Sequence, residues 1–151
     1  MSKLGKIRLL ALGLIRDSEY AKRTQSERIF VSQGYDSLKQ ESYYRALGGG
    51  VDFGETSQAA LKREFQEEIQ ADLTNINYLG CIESIFICNG KQGHEIIQLY
   101  ECDFVDSKFY QLESLIFSES KNHQHKALWV DISEFKSGKL RLVPEAFFAY
   151  L

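Results

Sequence analysis

The stretch Gly48–Gln70, GGGVDFGETSQAALKREFQEEIQ, passes from three consecutive glycines into a segment carrying Glu64, Glu67 and Glu68. Thr56 stands where a side-chain oxygen caps a helix, and Leu61, Phe65 and Ile69 recur at the four-residue spacing of a buried stripe. The spacing predicts a helix from Thr56 to about Ile69. At about 100° per residue the three glutamates fall within an arc of roughly 100° beside that stripe, so the acids border the buried face. Like charges at i and i+4, as Glu64 and Glu68 are, repel even in water. Partial burial makes them costlier unless a cation offsets the charge.

Two readings of these acids stand side by side. One is a solvated helix face with Arg63 paired to Glu67 at i,i+4. The other is a site for a hard divalent cation, Mg²⁺ or Mn²⁺, whose preferred ligands are carboxylate and carbonyl oxygens. The glycines favour the second reading. They allow positive φ and close backbone approach to a metal or phosphate, and a helix N-terminus accommodates anions.

The surrounding chain is that of a globular protein. Its 151 residues fit one domain spanning 1–151. A net charge of −3 and a pI near 5.7 argue against a broad grip on nucleic acid. The opening MSKLGKIRLLALGLIRD resembles a secretory leader, but its apolar run covers only Leu9 to Ile15, contains Gly13 and ends at Arg16. It reads as a buried first strand, and no stretch approaches the length of a membrane span. Cys81, Cys88 and Cys102 lack CxxC spacing and read as small core residues, which points to a reducing, cytoplasmic setting.

Ile7 to Ile15 and Arg28 to Gln33 read as paired strands joined by a polar loop, and Gln33 to Ser42 as a second loop. Tyr43 to Leu47 is a short strand leading into the glycines. The β-branched and aromatic run from Ile76 ends in a hairpin loop of five residues, Asn89 to Gly93, and a partner strand follows from His94. Ser107 to Lys126 fits either a loop or part of a helix. Ala127 to Ile132 is a last strand, and Pro144 opens a terminal helix. The order implies an α/β fold, a mixed sheet with helices on its faces.

Gly49, five residues, Glu55, seven residues, then Arg63-Glu64-Phe65-Gln66-Glu67-Glu68 resembles the Nudix box, the signature of the Nudix hydrolases. The family's glycine near the box end, normally a left-handed helix terminator, is Gln70 here, followed by Ala71. The resemblance implies an α/β/α sandwich and Mg²⁺-dependent hydrolysis of nucleoside diphosphates linked to another moiety, with Mn²⁺ as substitute. Carried over by position, Glu67 and Glu68 bind the metal, Glu64 is a further ligand or the base, and the Gly48 carbonyl completes the set. Glu55 and Arg63 become the pair that holds loop to helix. A homodimer is expected, as Nudix proteins often pair.

Outside the box, Arg45 is a candidate phosphate contact, with Gly49 and Gly50 beside it. Glu95 is a candidate additional ligand or base, since Nudix enzymes often draw one more carboxylate from beyond the box. His94 reads as a turn residue, His123 and His125 as solvated. Trp129, Tyr43, Tyr44 and Phe53 fit either base stacking or core. Subfamily marks downstream are missing: Pro144 is the only proline, and Ser84 to Ile87 lacks a tyrosine. A nucleoside di- or triphosphate is left by subtraction. The alternative is a Nudix-like module that senses a nucleotide without turnover, with Gln70 as its one mark.

Overall fold

The computed structural model describes residues 5–120 and 123–151. In chain order, the described residues form β1 (Ile7–Leu14), α1 (Ser18–Thr24), β2 (Arg28–Asp36), β3 (Glu41–Gly50), α2 (Ser57–Ile69), β4 (Leu73–Cys88) and β5 (Lys91–Phe104). A 3-10 turn over Ser107–Tyr110 follows, then β6 (Ser114–Ser120), β7 (His123–Asp131), α3 (Ile132–Lys136) and a closing 3-10 helix over Glu145–Tyr150. The strands make one mixed sheet in the order β4-β5-β1-β3-β2-β7-β6. The β1–β5 pair is parallel and the other pairs are antiparallel.

Alternation along β1 divides the core in two. Ala11 joins the side covered by α2, with Leu47, Leu61, Phe65, Phe104 and Trp129. Leu10, Leu12 and Leu14 join the other side, with Val31, Ile97 and Leu99 under Phe135 of α3 and Phe147. Helices on both faces of the sheet give the expected α/β/α sandwich. No helix among the described residues is long and apolar enough to cross a membrane.

The helix behind the glycines has the predicted extent. Thr56 Oγ1 accepts from Ala59 N at 3.1 Å, and Leu61, Phe65 and Ile69 are all buried. Several expectations are corrected. Strands β1 and β2 are not paired: β3 lies between them, leaving only an Arg16–Ile29 bridge. The glycines make this possible, because a Cβ on Gly48 would sit 2.0 Å from the Ala11 carbonyl oxygen. The loop from Gln33 to Ser42 shrinks to the turn between β2 and β3, where Asp36 Oδ1 accepts from Leu38 N and Lys39 N, each at 3.1 Å. The β4–β5 loop is also tighter than expected, only Asn89 and Gly90, at φ 53° and 74°.

Two stretches take form where polar sequence concealed them. Helix α1 is capped by Asp17 but buries none of its residues, so no apolar period marks it. The Ser107–Lys126 stretch is a 3-10 turn and most of the β6–β7 hairpin. The terminal segment from Pro144 is 3-10 rather than α-helix. Among the cysteines, Cys102 is buried as expected, whereas Cys81 is exposed on the edge strand β4.

Gln70 ends α2 in the left-handed region, φ 53° and ψ 43°, with its N–H donated to the Gln66 carbonyl at 3.1 Å. The helix thus closes as it would with glycine, at the cost of holding a Cβ where L residues are strained. Gln70→Gly is expected to raise stability by about 0.5–1 kcal/mol in urea unfolding, after the added freedom of the unfolded chain is deducted. An unchanged or lower midpoint would contradict strain at this position.

Candidate active site

The site is built where β3 ends and α2 begins. Gly48 adopts φ +147° against β1. A Cβ on Gly49 would lie 2.4 Å from the Glu64 carboxyl carbon, so the missing side chain makes the space in which that carboxylate rests. Between strand and helix, Asp52 N donates to Glu55 Oε1 at 3.1 Å and Glu55 N to the Asp52 carbonyl at 3.0 Å, closing a tight loop.

Arg63 occupies the centre. Its Nε and Nη2 each meet a different oxygen of Glu55 at 2.8 Å, a bidentate pair. The same Nη2 donates to the Gly50 carbonyl at 2.9 Å, and Nη1 reaches Glu64 Oε1 at 3.0 Å and Glu67 Oε2 at 3.3 Å. The guanidinium beside Glu55, helped by the Asp52 N–H, holds that carboxyl down at about 2. The Glu55 and Glu64 carboxylates in turn raise the Arg63 value.

Glu64 and Glu68 are partly buried and Glu67 is exposed. Among the described residues no three His, Cys, Asp or Glu side chains are gathered as a metal-holding group. Glu64 and Glu67 lean on Arg63 instead, which supplies the positive charge between them. The donor chemistry nevertheless fits a hard divalent cation: three carboxylates on successive turns of one helix, one of them seated against backbone in the Gly49 space, and one exposed enough to swing.

Arg45 and Glu95, read separately from the sequence, meet each other. Arg45 Nη1 donates to Glu95 Oε1 at 3.1 Å, and Glu95 is only 5% exposed. Sequence reasoning passed over Arg8, which lies level with Glu95 in the β1–β5 register and reaches Glu95 Oε2 from Nη1 at 3.8 Å. Its other terminal nitrogen lies 3.9 Å from the Cβ position of Gly50. Nothing in the local pattern singles Arg8 out from the basic residues leading into β1. Arg45 and Glu95 also line a cleft of about 660 Å³, bounded by Tyr43, Phe86 and the chain from Arg141 to Glu145. Backbone bonds fix that last wall to β3: Tyr44 N donates to the Arg141 carbonyl at 2.8 Å, and Val143 N to the Tyr44 carbonyl at 2.9 Å.

Other candidates are placed as follows. His94 belongs to β5 rather than a turn, with Glu83 Oε2 3.9 Å from a buried Nε2 that has no hydrogen-bond partner among the described residues. His125 stacks on Phe117, and the side chain of His123 falls outside the described residues. Tyr44 and Trp129 are buried, Trp129 donating Nε1 to the Phe109 carbonyl at 2.8 Å. Phe53 is fully exposed on the loop before Glu55.

A model of the NUDIX domain matches residues 19–151. The chain belongs to the Nudix family. Among solved structures, it is similar to a NUDIX hydrolase from Nitrosomonas europaea, with 13% identity and a TM-score of 0.60 over 95% of this chain and 85% of that one. It is also similar to a MutT NUDIX hydrolase from Burkholderia pseudomallei, 18% identical with a TM-score of 0.58 over 85% of this chain and 86% of that one. The ORF135 protein of E. coli is 21% identical, with a TM-score of 0.53 over 98% of this chain and 94% of that one. No curated protein matches the chain. Identities this low speak to fold, and the family match supplies the class: the chain is a Nudix-type pyrophosphohydrolase. Nudix hydrolases generally use divalent metal ions.

The Glu55 carboxyl sits below its ordinary value of 4.5, so its pairing with Arg63 stabilises the Nudix fold fully above about pH 4.5 and is lost as pH falls towards 2. Glu55→Gln is expected to lower the urea midpoint at pH 7, with the gap to wild type narrowing as the medium is acidified below about pH 4.5. A gap independent of pH would assign the loss to something other than charge.

Proposed function

We propose that this Nudix protein hydrolyses a pyrophosphate bond in a small nucleotide, a nucleoside di- or triphosphate first, with Mg²⁺ held by Glu64, Glu67, Glu68 and the Gly48 carbonyl. Mn²⁺ is the expected substitute. The observation that carries the reading is the space at Gly49, which lets the Glu64 carboxylate rest against strand backbone with Glu67 and Glu68 on the next turn. A solvated helix face has no need of it.

When bound, the ion lowers the pKa of its water and offsets phosphate charge. The chain supplies the rest. Arg63 fixes Glu64 relative to Gly50, so the base and the strand end keep one geometry. Glu64 then takes a proton from the attacking water as its oxygen bonds to phosphorus, while the bridging P–O bond of the anhydride breaks and its electron pair leaves with the departing phosphate group. Gly49 and Gly50 expose backbone to the phosphates, and Arg45 offers a guanidinium from the cleft wall. Tyr43 and Phe86 give the base apolar surface. The reading includes one domain over 1–151, acting as a homodimer in the cytoplasm. The alternative, a sensing module without turnover, rested on Gln70. That residue closes α2 in the left-handed conformation a glycine would take, so the mark no longer favours it.

The test is a panel of nucleoside di- and triphosphates, ADP-ribose and dinucleoside polyphosphates, with Mg²⁺ or Mn²⁺ and chromatography of products. Cleavage abolished by EDTA supports the reading. Glu67→Gln is expected to cut kcat by about 100-fold or more with little change in thermal midpoint, several kcal/mol of transition-state stabilisation being lost with a ligand. Near-wild-type turnover in that variant removes Glu67 from the metal set.

A further inference from the structure

Glu95 is a buried carboxylate that faces two guanidinium groups held differently. Oε1 accepts from Arg45 at hydrogen-bond distance, 3.1 Å, and the Arg45 side chain is 26% exposed. Oε2 faces Arg8 at 3.8 Å, beyond a hydrogen bond, and the Arg8 side chain is 62% exposed. A carboxylate taken out of water needs a cation, and Arg45 meets that need at short range. The more distant Arg8 is therefore held weakly. Its free end lies beside Gly50, which has no side chain in the way and whose carbonyl already binds Arg63. Two guanidiniums on one carboxylate leave a positive charge over, placed between the cleft and the Gly50 end of β3.

We propose that Arg8 and Arg45, anchored on Glu95, form a phosphate clamp in which Arg45 is the fixed jaw and Arg8 the movable one, drawn off Glu95 by a bound phosphoanhydride. The ligand class rests on the hydrolase reading above. The planar, many-donor guanidinium suits phosphate oxygens, which an ammonium meets only as a point charge. Glu95 is then a positioning residue rather than the base. A proton accepted on its carboxylate would release both arginines at the moment they are needed.

The experiment pairs steady-state kinetics on the best substrate with calorimetric titration of inorganic pyrophosphate into the full chain. Arg8→Ala is expected to raise KM and weaken pyrophosphate binding about tenfold, the loss of a charge-assisted contact, with kcat held within about threefold. Arg8→Lys recovers only part of the loss. Lys6→Ala, removing an exposed cation nearby, changes either quantity by less than about twofold, because a solvated charge is screened. Glu95→Gln raises KM and keeps the acidic limb of the pH profile of kcat.

An Arg8→Ala effect no larger than that of Lys6→Ala overturns the clamp in favour of general electrostatics. Loss of kcat by about 100-fold in Glu95→Gln, with the acidic limb gone and KM unchanged, makes Glu95 the base and overturns its positioning role. Pyrophosphate binding that depends on Arg8, without turnover of any panel substrate, keeps the clamp and sinks the hydrolase reading. Turnover with binding indifferent to Arg8 does the reverse. Arg8 is exposed, so its variants test the clamp even if Glu95→Gln fails to fold.

Discussion

The Arg63–Glu55 bidentate pair is the contact on which the rest of the site depends. One guanidinium reaches the loop through Glu55, the strand end through the Gly50 carbonyl, and the helix face through Glu64 and Glu67. Three separate pieces of chain are tied to one rigid plane, so α2 cannot slide or turn against β3 without breaking several charged hydrogen bonds at once. An ammonium has neither the fork nor the reach to do the same. The depressed Glu55 carboxyl is the electrostatic counterpart of that geometry. The arrangement also explains the posture of the acids: they face an internal cation, and Glu67, the most exposed, is the one freest to turn towards another.

The glycines matter for a different reason, which joins fold to chemistry. Without a Cβ, Gly48 lets β3 lie against β1, pairing Leu12 with Gly48 and Ala11 with Gly49. That pairing places β3 between β1 and β2 and sets the strand order. It also places Gly49 under α2, where its missing side chain becomes the resting place of Glu64. A side chain at Gly48 would strike backbone, which cannot yield, while one at Gly49 would strike a movable carboxylate. The first therefore protects the sheet and the second the site.

What could be read from sequence was what local chemistry writes into it. The cap at Thr56 and the stripe Leu61, Phe65 and Ile69 stand where the pattern put them, and the Asn-Gly signal marked a hairpin whose turn is shorter than expected, because each depends on neighbours within a few residues. The β6–β7 hairpin did not show, since its strand sequences alternate poorly and lack a turn signal of the Asn-Gly kind. Helix α1 did not show because its face is not apolar; Arg28 holds its cap residue Asp17 and stacks on Tyr20 instead. The wrong pairing of β1 with β2 has a plain cause as well. Adjacent strands in sequence usually pair, and here a third inserts because only glycines could fit. The meeting of Arg8, Arg45 and Glu95 lies furthest from reach. The parallel β1–β5 register sets Arg8 beside Glu95 and Arg45 arrives from β3, neither of which any local pattern contains.

Charge around the cleft gives the proposed chemistry a direction. Among its lining residues Glu95 is paired to Arg45 and Glu41 to Arg141, which leaves Asp36 and Glu145 as the excess charge. A phosphate chain placed deep among those acids would meet uncompensated negative charge in a partly desolvated space. Outside that lining stand Arg8, which meets Glu95 from one side and Gly50 from the other, and the helix turn with Glu64 and Glu67, where a divalent cation would add positive charge. On the proposed reading a nucleotide therefore enters base first, its neutral ring among Tyr43 and Phe86, its phosphates held back towards the Gly50 end of β3. Away from Arg45, those acids favour a ring edge that donates hydrogen bonds. On that reading the sign of the cleft orients the substrate before any residue of the box touches it.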